Sequence, residues 1–285
     1  VRGEHIAWME SSAVIYANSV LGARTNCEGT ASTGAASLTG KIPCWGNHLP
    51  RNRYGTHHIE VVTPVEDVLD WGMLGYFAGA LVQDQRPVVT GSFAAPDLVA
   101  LKHFGAAAAS SGGVELYHVP GVTPEVTTLE SAFRGTPPQT IHYGPKERRS
   151  IYETLNNQGT STDVDFVLLG CPHASLDQVR AAARALDGKR LHDGTQLWIM
   201  TPRALKEIAD RSGYTEIVAR AGGRILADSC PAMSRTAPTG TKVFATDSAK
   251  QAHYLPAILG IEAWFGTLEE CVDAAVTGRW RGGLR

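Results

Sequence analysis

Residues 164–178 read VDFVLLGCPHASLDQ, and they set the architecture expected of the chain. The apolar run 164–169 has the length and composition of a buried strand. Gly170-Cys171-Pro172-His173 ends it. Ser175 then caps a helix, with Gln178 three residues later completing a capping box, and that helix runs to about Leu186 and stops near Gly188. The same alternation continues toward the C-terminus. Residues 196–200 (QLWIM) form a strand, and Thr201-Pro202 starts a helix. A helix over 214–221 ends at Gly222-Gly223, and 224–227 (RILA) is a strand broken by Asp228-Ser229-Cys230-Pro231. Residues 242–245 and 261–265 are further strands. Helices follow from Thr246-Asp247-Ser248 and from Thr267, which pairs with Glu270 as a second capping box. Strands alternating with helices imply an α/β fold with largely parallel sheets.

Upstream the pattern loosens. Strands are expected at 87–90, 115–119 and 140–143, with helices at 96–110, 124–133 and 145–156. His57-His58 would lie on a strand, where neighbours face opposite ways, so joint metal ligation is disfavoured. The polar Gly159-Thr160-Ser161-Thr162 marks a boundary. It divides an N-terminal α/β region, 1–160, from a C-terminal α/β unit, 161–285, that carries Cys171 and Cys230. In the first 55 residues, polar groups crowd an otherwise small and apolar segment without an amphipathic stripe, a pattern suited to a site wall.

The whole chain has 285 residues, a net charge of −2, 43% hydrophobic and 19% charged residues. That composition is globular, and it lacks the basic field of a non-specific nucleic-acid binder. No apolar run approaches the ~20 residues that span a bilayer. Five cysteines are too few for a disulfide scaffold and point to a cytoplasmic chain with reactive or metal-binding thiols. The chain opens Val1-Arg2 with no signal peptide, which reads as a fragment truncated upstream. It contains no phosphate-binding GxxxxGK[ST] loop, no GxGxxG after a strand, no GxSxG elbow and no HExxH.

In parallel α/β sheets, ligands bind beyond the carboxyl ends of the strands. Cys171 and Cys230 each follow a strand, so both belong to one sheet edge. They are thiolate ligands for iron–sulfur or zinc, or else small buried hydrophobes in turns. Cys27 sits in a polar segment and Cys44 in a turn, while Cys271 falls on an apolar helical stripe. His173 is a proton shuttle or a capping residue. Arg24, among small residues, needs an anion: Glu10, Glu28, or a substrate carboxylate or phosphate. Lys250 is a second anion ligand or a solvated lysine.

Several motifs, in order and end to end, resemble the large catalytic part of the aconitase X family. They are Gly3-Glu4-His5-Ile6-Ala7-Trp8, Glu10-Ser11-Ser12-Ala13-Val14, Ala17-Asn18-Ser19-Val20-Leu21-Gly22-Ala23-Arg24-Thr25-Asn26, Asp70-Trp71-Gly72, Gly170-Cys171-Pro172-His173, Asp228-Ser229-Cys230, Ser248-Ala249-Lys250-Gln251-Ala252-His253 and Thr277-Gly278-Arg279-Trp280. The resemblance implies aconitase-like tandem α/β/α units with mostly parallel sheets. It implies an iron–sulfur hydro-lyase that dehydrates cis-3-hydroxy-L-proline or mevalonate 5-phosphate, with Cys171 and Cys230 as cluster ligands. The family's third cysteine lies in an upstream Thr-Cys-Thr-Pro-Tyr segment, and a small swivelling domain, fused or separate, supplies a serine. Neither is present here, so the chain is expected to be inactive alone.

Many members have Arg-Glu-Gly after Thr-Asn, where this chain has Cys27-Glu28-Gly29. The thiol either changes substrate-anion recognition or makes Cys27 a local candidate for the third sulfur, with Cys44 behind it. Asn18, Ser19, Arg24, Thr25, Asn26 and Lys250 are the expected substrate-binding residues. His173, Ser12 and Glu28 are the expected catalytic ones. The absence of surplus cations favours a hydroxyproline-type substrate. The rival reading is a cluster-bearing module without catalysis.

Overall fold

A computed structural model describes residues 1–156 and 160–285. They fall into two compact units, Val1–Arg149 and Ser150–Arg285. The expected boundary at 159–162 begins with Gly159, which lies outside the described residues. Its neighbours Thr160 and Ser161 donate backbone hydrogen bonds to Glu262.

In the second unit the strands are β4 (Phe166–Leu169), β5 (Gln196–Thr201), β6 (Arg224–Ala227), β7 (Val243–Thr246) and β8 (Glu262–Phe265). The helices are α7 (Leu176–Leu186), α8 (Arg203–Arg211), α9 (Tyr214–Ala221), the single turn α10 (Pro231–Ser234), α11 (Ala249–Leu259) and α12 (Leu268–Thr277). All pairings are parallel, in the order β6-β5-β4-β7-β8. Every residue of β4 and β7 is buried, as inner parallel strands require. Phe166, Phe244 and Phe265 are fully buried, and burial of such a ring contributes about 1.5–3 kcal/mol. Both expected capping boxes form, Ser175 with Gln178 and Thr267 with Glu270. One expected helix start moves. Thr201 completes β5 and donates its hydroxyl to the Ala174 carbonyl, so Pro202 becomes the N-cap of α8.

The first unit holds α1 (Ser11–Ser19), α2 (Thr30–Thr39), β1 (His57–Val61), α3 (Val68–Val82), β2 (Pro87–Gly91), α4 (Leu98–Gly112), the short α5 (Leu129–Ala132) and β3 (Thr140–Tyr143). Helix α6 (Pro145–Asn156) follows β3 and runs past the boundary. Its sheet is parallel with order β2-β1-β3. The α3 and α4 backbones meet at Gly75, where a Cβ would stand 2.2 Å from the Phe104 carbonyl oxygen. Leu74, Phe104 and Tyr117 fill this core.

Two sequence expectations fail here. Residues 115–119 are extended, but only His118 bridges to Val88. Side chains take other backbone groups: Asn18 Nδ2 of α1 donates to the Glu115 carbonyl, the Tyr117 amide donates to Ser19 Oγ of α1, and the Val119 amide donates to Thr123 Oγ1. The helix expected over 124–133 shrinks to Leu129–Ala132, because a turn closed by Gly121 N and Val126 O occupies its start and Thr128 caps what remains.

Candidate functional site

Parallel strands put every carboxyl end of the second sheet on one edge. The strand order reverses between β4 and β7, and the crevice beyond such a reversal is where open α/β sheets take ligands. The loop after β4 carries Gly170, Cys171 and His173, and the loop after β7 leads to Lys250, the second residue of α11. Gly170 has φ +85°, and a Cβ there would stand 2.2 Å from the Met200 carbonyl oxygen. Only glycine permits that approach, which lets the loop fold back onto β5. The Ala174 amide secures it by donating to the Met200 oxygen at 2.8 Å.

Cys230 follows β6 and caps α10. His173 ties its loop to that of Cys171: Nε2 lies 3.0 Å from the Ser229 carbonyl. A carbonyl only accepts, so Nε2 carries the proton. Asp228, at the same corner, meets Arg203, whose amide and guanidinium lower its carboxyl pKa. Cys171 and Cys230 are both half-buried. Cys271 instead lies fully inside the core of this unit, where burial, then Asp247, Glu270 and Glu269, push its thiol far up.

The first unit contains the polar wall. Asn18, Ser19, Thr25, Asn26, Glu28 and Ser12 are all buried. Asn18 uses its whole amide: Nδ2 donates to the Thr25 and Glu115 carbonyls, and Oδ1 accepts from the Thr25 amide and Arg53 Nη1. Thr25 Oγ1 accepts from the Trp8 amide and donates to the Asn26 carbonyl. Asn26 Oδ1 accepts from the Asn47 amide at 2.7 Å, and Nδ2 donates to Glu28 at 3.4 Å. Arg53 is the hub of the wall. Its Nε donates to Glu125 at 2.9 Å, and its other nitrogens reach Asn18, Ala23 and Asn47.

Among the described residues, Arg24 Nη1 reaches only the His48 carbonyl, at 3.4 Å, and its buried Nε has no hydrogen-bond partner. A cleft of about 270 Å³ opens beside Arg24, lined also by Arg2, Arg53, Tyr54, His118 and Glu125. Cys27 is exposed, with Sγ 3.5 Å from the Met9 carbonyl. Partial burial, then Glu115, Glu10 and Glu28, raise its pKa, which opposes the thiolate a metal needs.

The chain thus gathers Cys171, His173, Cys230 and Lys250 along one sheet edge, and the 12–28 residues into one wall. Sequence reasoning missed Arg53, Glu115, Asn47 and the His5–His48 contact. No spacing announces them, because each gains its place from a distant segment. His57 and His58 do lie on β1 with different partners, Thr56 for the first, Thr90 and Thr140 for the second.

The Cys171 and Cys230 thiols are soft donors that suit iron–sulfur or zinc better than hard cations. Among the described residues, no three His, Cys, Asp or Glu side chains gather to hold a metal ion. By donor chemistry the two thiols could supply part of such a donor set, with further ligands needed to complete it.

Family models for the aconitase X first, second and third domains match residues 1–51, 55–153 and 164–277. This chain belongs to the aconitase X family. The crystal structure of Thermococcus kodakaraensis aconitase X in its holo-form superposes with a TM-score of 0.84 at 37% identity, covering 96% of this chain and 69% of that one. The phosphomevalonate dehydratase large subunit of Methanocaldococcus jannaschii is 40% identical over 94% of this chain and 66% of its own length. The cis-3-hydroxy-L-proline dehydratase of Pseudomonas aeruginosa is 39% identical over 99% of this chain and 49% of its own length. This aconitase X chain therefore spans between about half and two thirds of these two curated relatives. Identity does not separate the two substrates. Among its described residues, no helix is long and apolar enough to cross a membrane.

Proposed function

We propose that this aconitase X chain serves a dehydratase that removes water from a small hydroxylated carboxylate, cis-3-hydroxy-L-proline in the first instance. The observation that carries this reading is the thiol-bearing edge at the strand-order reversal, in a chain of this family. Cys171 and Cys230 would hold an iron–sulfur cluster, which when bound supplies Lewis acidity to a departing hydroxyl. Cys27 is the third thiol of the reading and, among its carboxylates, the weakest donor of the three.

Arg24 is the anion receptor. Its Nε is unengaged, whereas Arg53 is spent on Glu125 and on wall oxygens. A guanidinium grips a carboxylate through paired N–H donors, and the carboxylate of a hydroxyproline is the anion this reading assigns to Arg24. Lys250 is the second cation, with Asn26 beside Arg24. Asn18, Ser19 and Thr25 act by fixing the wall, since their polar atoms already bond within it. His173 orders the cysteine loops, Glu28 and Ser12 supply a carboxylate and a hydroxyl to the wall, and the base for the carbon-bound proton comes from a swivel-domain partner in the cytoplasm.

The test is a substrate screen. The chain is reconstituted anaerobically with iron and sulfide, mixed with its swivel partner, and given cis-3-hydroxy-L-proline or mevalonate 5-phosphate. Turnover of the first is expected. Turnover of only the second reassigns the substrate. Cluster binding without either turnover favours the non-catalytic module.

A further inference from the structure

His5 and His48 meet Nδ1 to Nδ1 at 3.0 Å, with ring centres 5.2 Å apart and ring planes inclined by 21°. His48 is 2% exposed, whereas His5 is open to solvent. His48 Nε2 is buried and, among the described residues, has no hydrogen-bond partner. His5 also pairs with Arg24 in a parallel bridge, through Arg24 N to Glu4 O and Ile6 N to Arg24 O. Bridge-paired residues project to one side, and Arg24 Nη1 donates to the His48 carbonyl. His5, Arg24 and His48 therefore form one cluster.

We propose that His5 and His48 are a one-proton dyad, in which buried His48 orients His5 as the general acid beside Arg24. Two Nδ1 atoms 3.0 Å apart share a single hydrogen, so the pair holds at most one positive charge. The groups around His48 decide where that charge sits. Burial, then His5, Arg53 and Arg24, oppose a charged His48, and only Glu28 favours it. When the pair takes up a proton, the solvent-open ring carries it, and His5 Nδ1–H donates to the His48 Nδ1 lone pair. His5 Nε2 then carries the transferable proton, and among the described residues no group bonds it.

This role rests on the dehydration proposed above. As the C–O bond breaks, its electron pair goes to oxygen, which takes the Nε2 proton of His5 and leaves as water. The partner's base removes the carbon-bound proton, and that C–H pair becomes the new double bond. Proton donation of this kind contributes typically about 10²–10⁴-fold.

Two measurements test it. Histidine Cε1–H resonances of the full chain are titrated in the wild type and in His5→Gln. The His48 midpoint is expected to move upward when His5 is lost; an identical midpoint in both overturns the dyad. In the reconstituted enzyme with its partner, His5→Gln is expected to lower kcat about 10²-fold and to remove the alkaline limb of the pH–rate profile. His48→Asn, whose Oδ1 still accepts from His5 Nδ1–H, retains most of the rate and shifts that limb. An unchanged rate and profile in His5→Gln overturns the general-acid role. If the wild type dehydrates neither substrate while the titrations remain coupled, the dehydratase reading and the acid role fall together and the dyad stands.

Discussion

The two units build polar surfaces by opposite means. In the second, topology does the placing: parallel strands and one reversal of order put Cys171, Cys230 and Lys250 on a common edge, each near the end of a short element. In the first, polar side chains brace segments that form no ladder, as Asn18 and Ser19 do for residues 115–117. An edge made by topology tolerates loss of its side chains. A wall made of side chains does not.

Arg53 is where that contrast should be largest. It is 4% exposed and pairs with Glu125 while bonding four wall oxygens. Breaking a buried pair by deleting one partner costs about 3–5 kcal/mol. Arg53→Met should lose about that much in urea unfolding, and Arg53→Lys should recover little, because an ammonium cannot span the fork. An Arg53→Met chain within about 0.5 kcal/mol of wild type, the range of ordinary surface substitutions, would erase the distinction between the units.

Acid should separate the units next. Burial lowers His48, His58 and His118 in the first unit, and takes His103 down to about 3. A histidine depressed in the folded state binds fewer protons there than when unfolded. Its stabilisation is complete above the ordinary imidazole range and is lost as pH falls through it. For His103 the loss by pH 5 is about 2 kcal/mol. Asp67 and Glu115, raised by burial, oppose this, but the four imidazoles outnumber them. In the second unit burial depresses His253. Peptide-resolved hydrogen exchange, corrected for intrinsic rates, should show the first unit losing protection before the second between pH 7 and pH 5.

The fold of the second unit was legible because its signals are local. A capping box, a glycine stop and an apolar run of four to six residues each lie within one element, so 214–221 and 224–227 are placed to the residue. The thiol edge followed from strand ends alone. The first unit yielded less. Residues 115–119 carry strand-like composition, yet Glu115 and Tyr117 are partnered by side chains from α1, roughly a hundred positions away in sequence. The wall was anticipated as a polar segment, but its hub, Arg53, lies in a turn with no motif.

The cysteines sharpen the comparison within one unit. Cys271→Ser puts a hydroxyl into an apolar core and should cost about 1–3 kcal/mol. Cys171→Ser and Cys230→Ser alter half-buried loop positions and should leave the unfolding midpoint of the metal-free chain nearly unchanged. Each should abolish the visible charge-transfer absorption after anaerobic reconstitution, whereas Cys271→Ser should retain it. Normal iron content in either loop variant removes that cysteine from the ligand set.

Ser175→Ala gives the smallest effect and isolates what a local signal is worth. Ser175 Oγ accepts from the Gln178 amide at 3.2 Å, and Gln178 Oε1 accepts from the Ser175 amide at 3.1 Å. Losing such a cap costs about 1 kcal/mol. The loop bearing Cys171 is held separately, by Ala174 N on Met200 O and Thr201 Oγ1 on Ala174 O. Urea unfolding should therefore register the lost cap, while iron content after reconstitution stays at the wild-type level. If iron falls with the cap, the α7 N-terminus rather than the β5 clamp positions the thiol, and the sheet edge depends on side-chain bracing just as the first unit does.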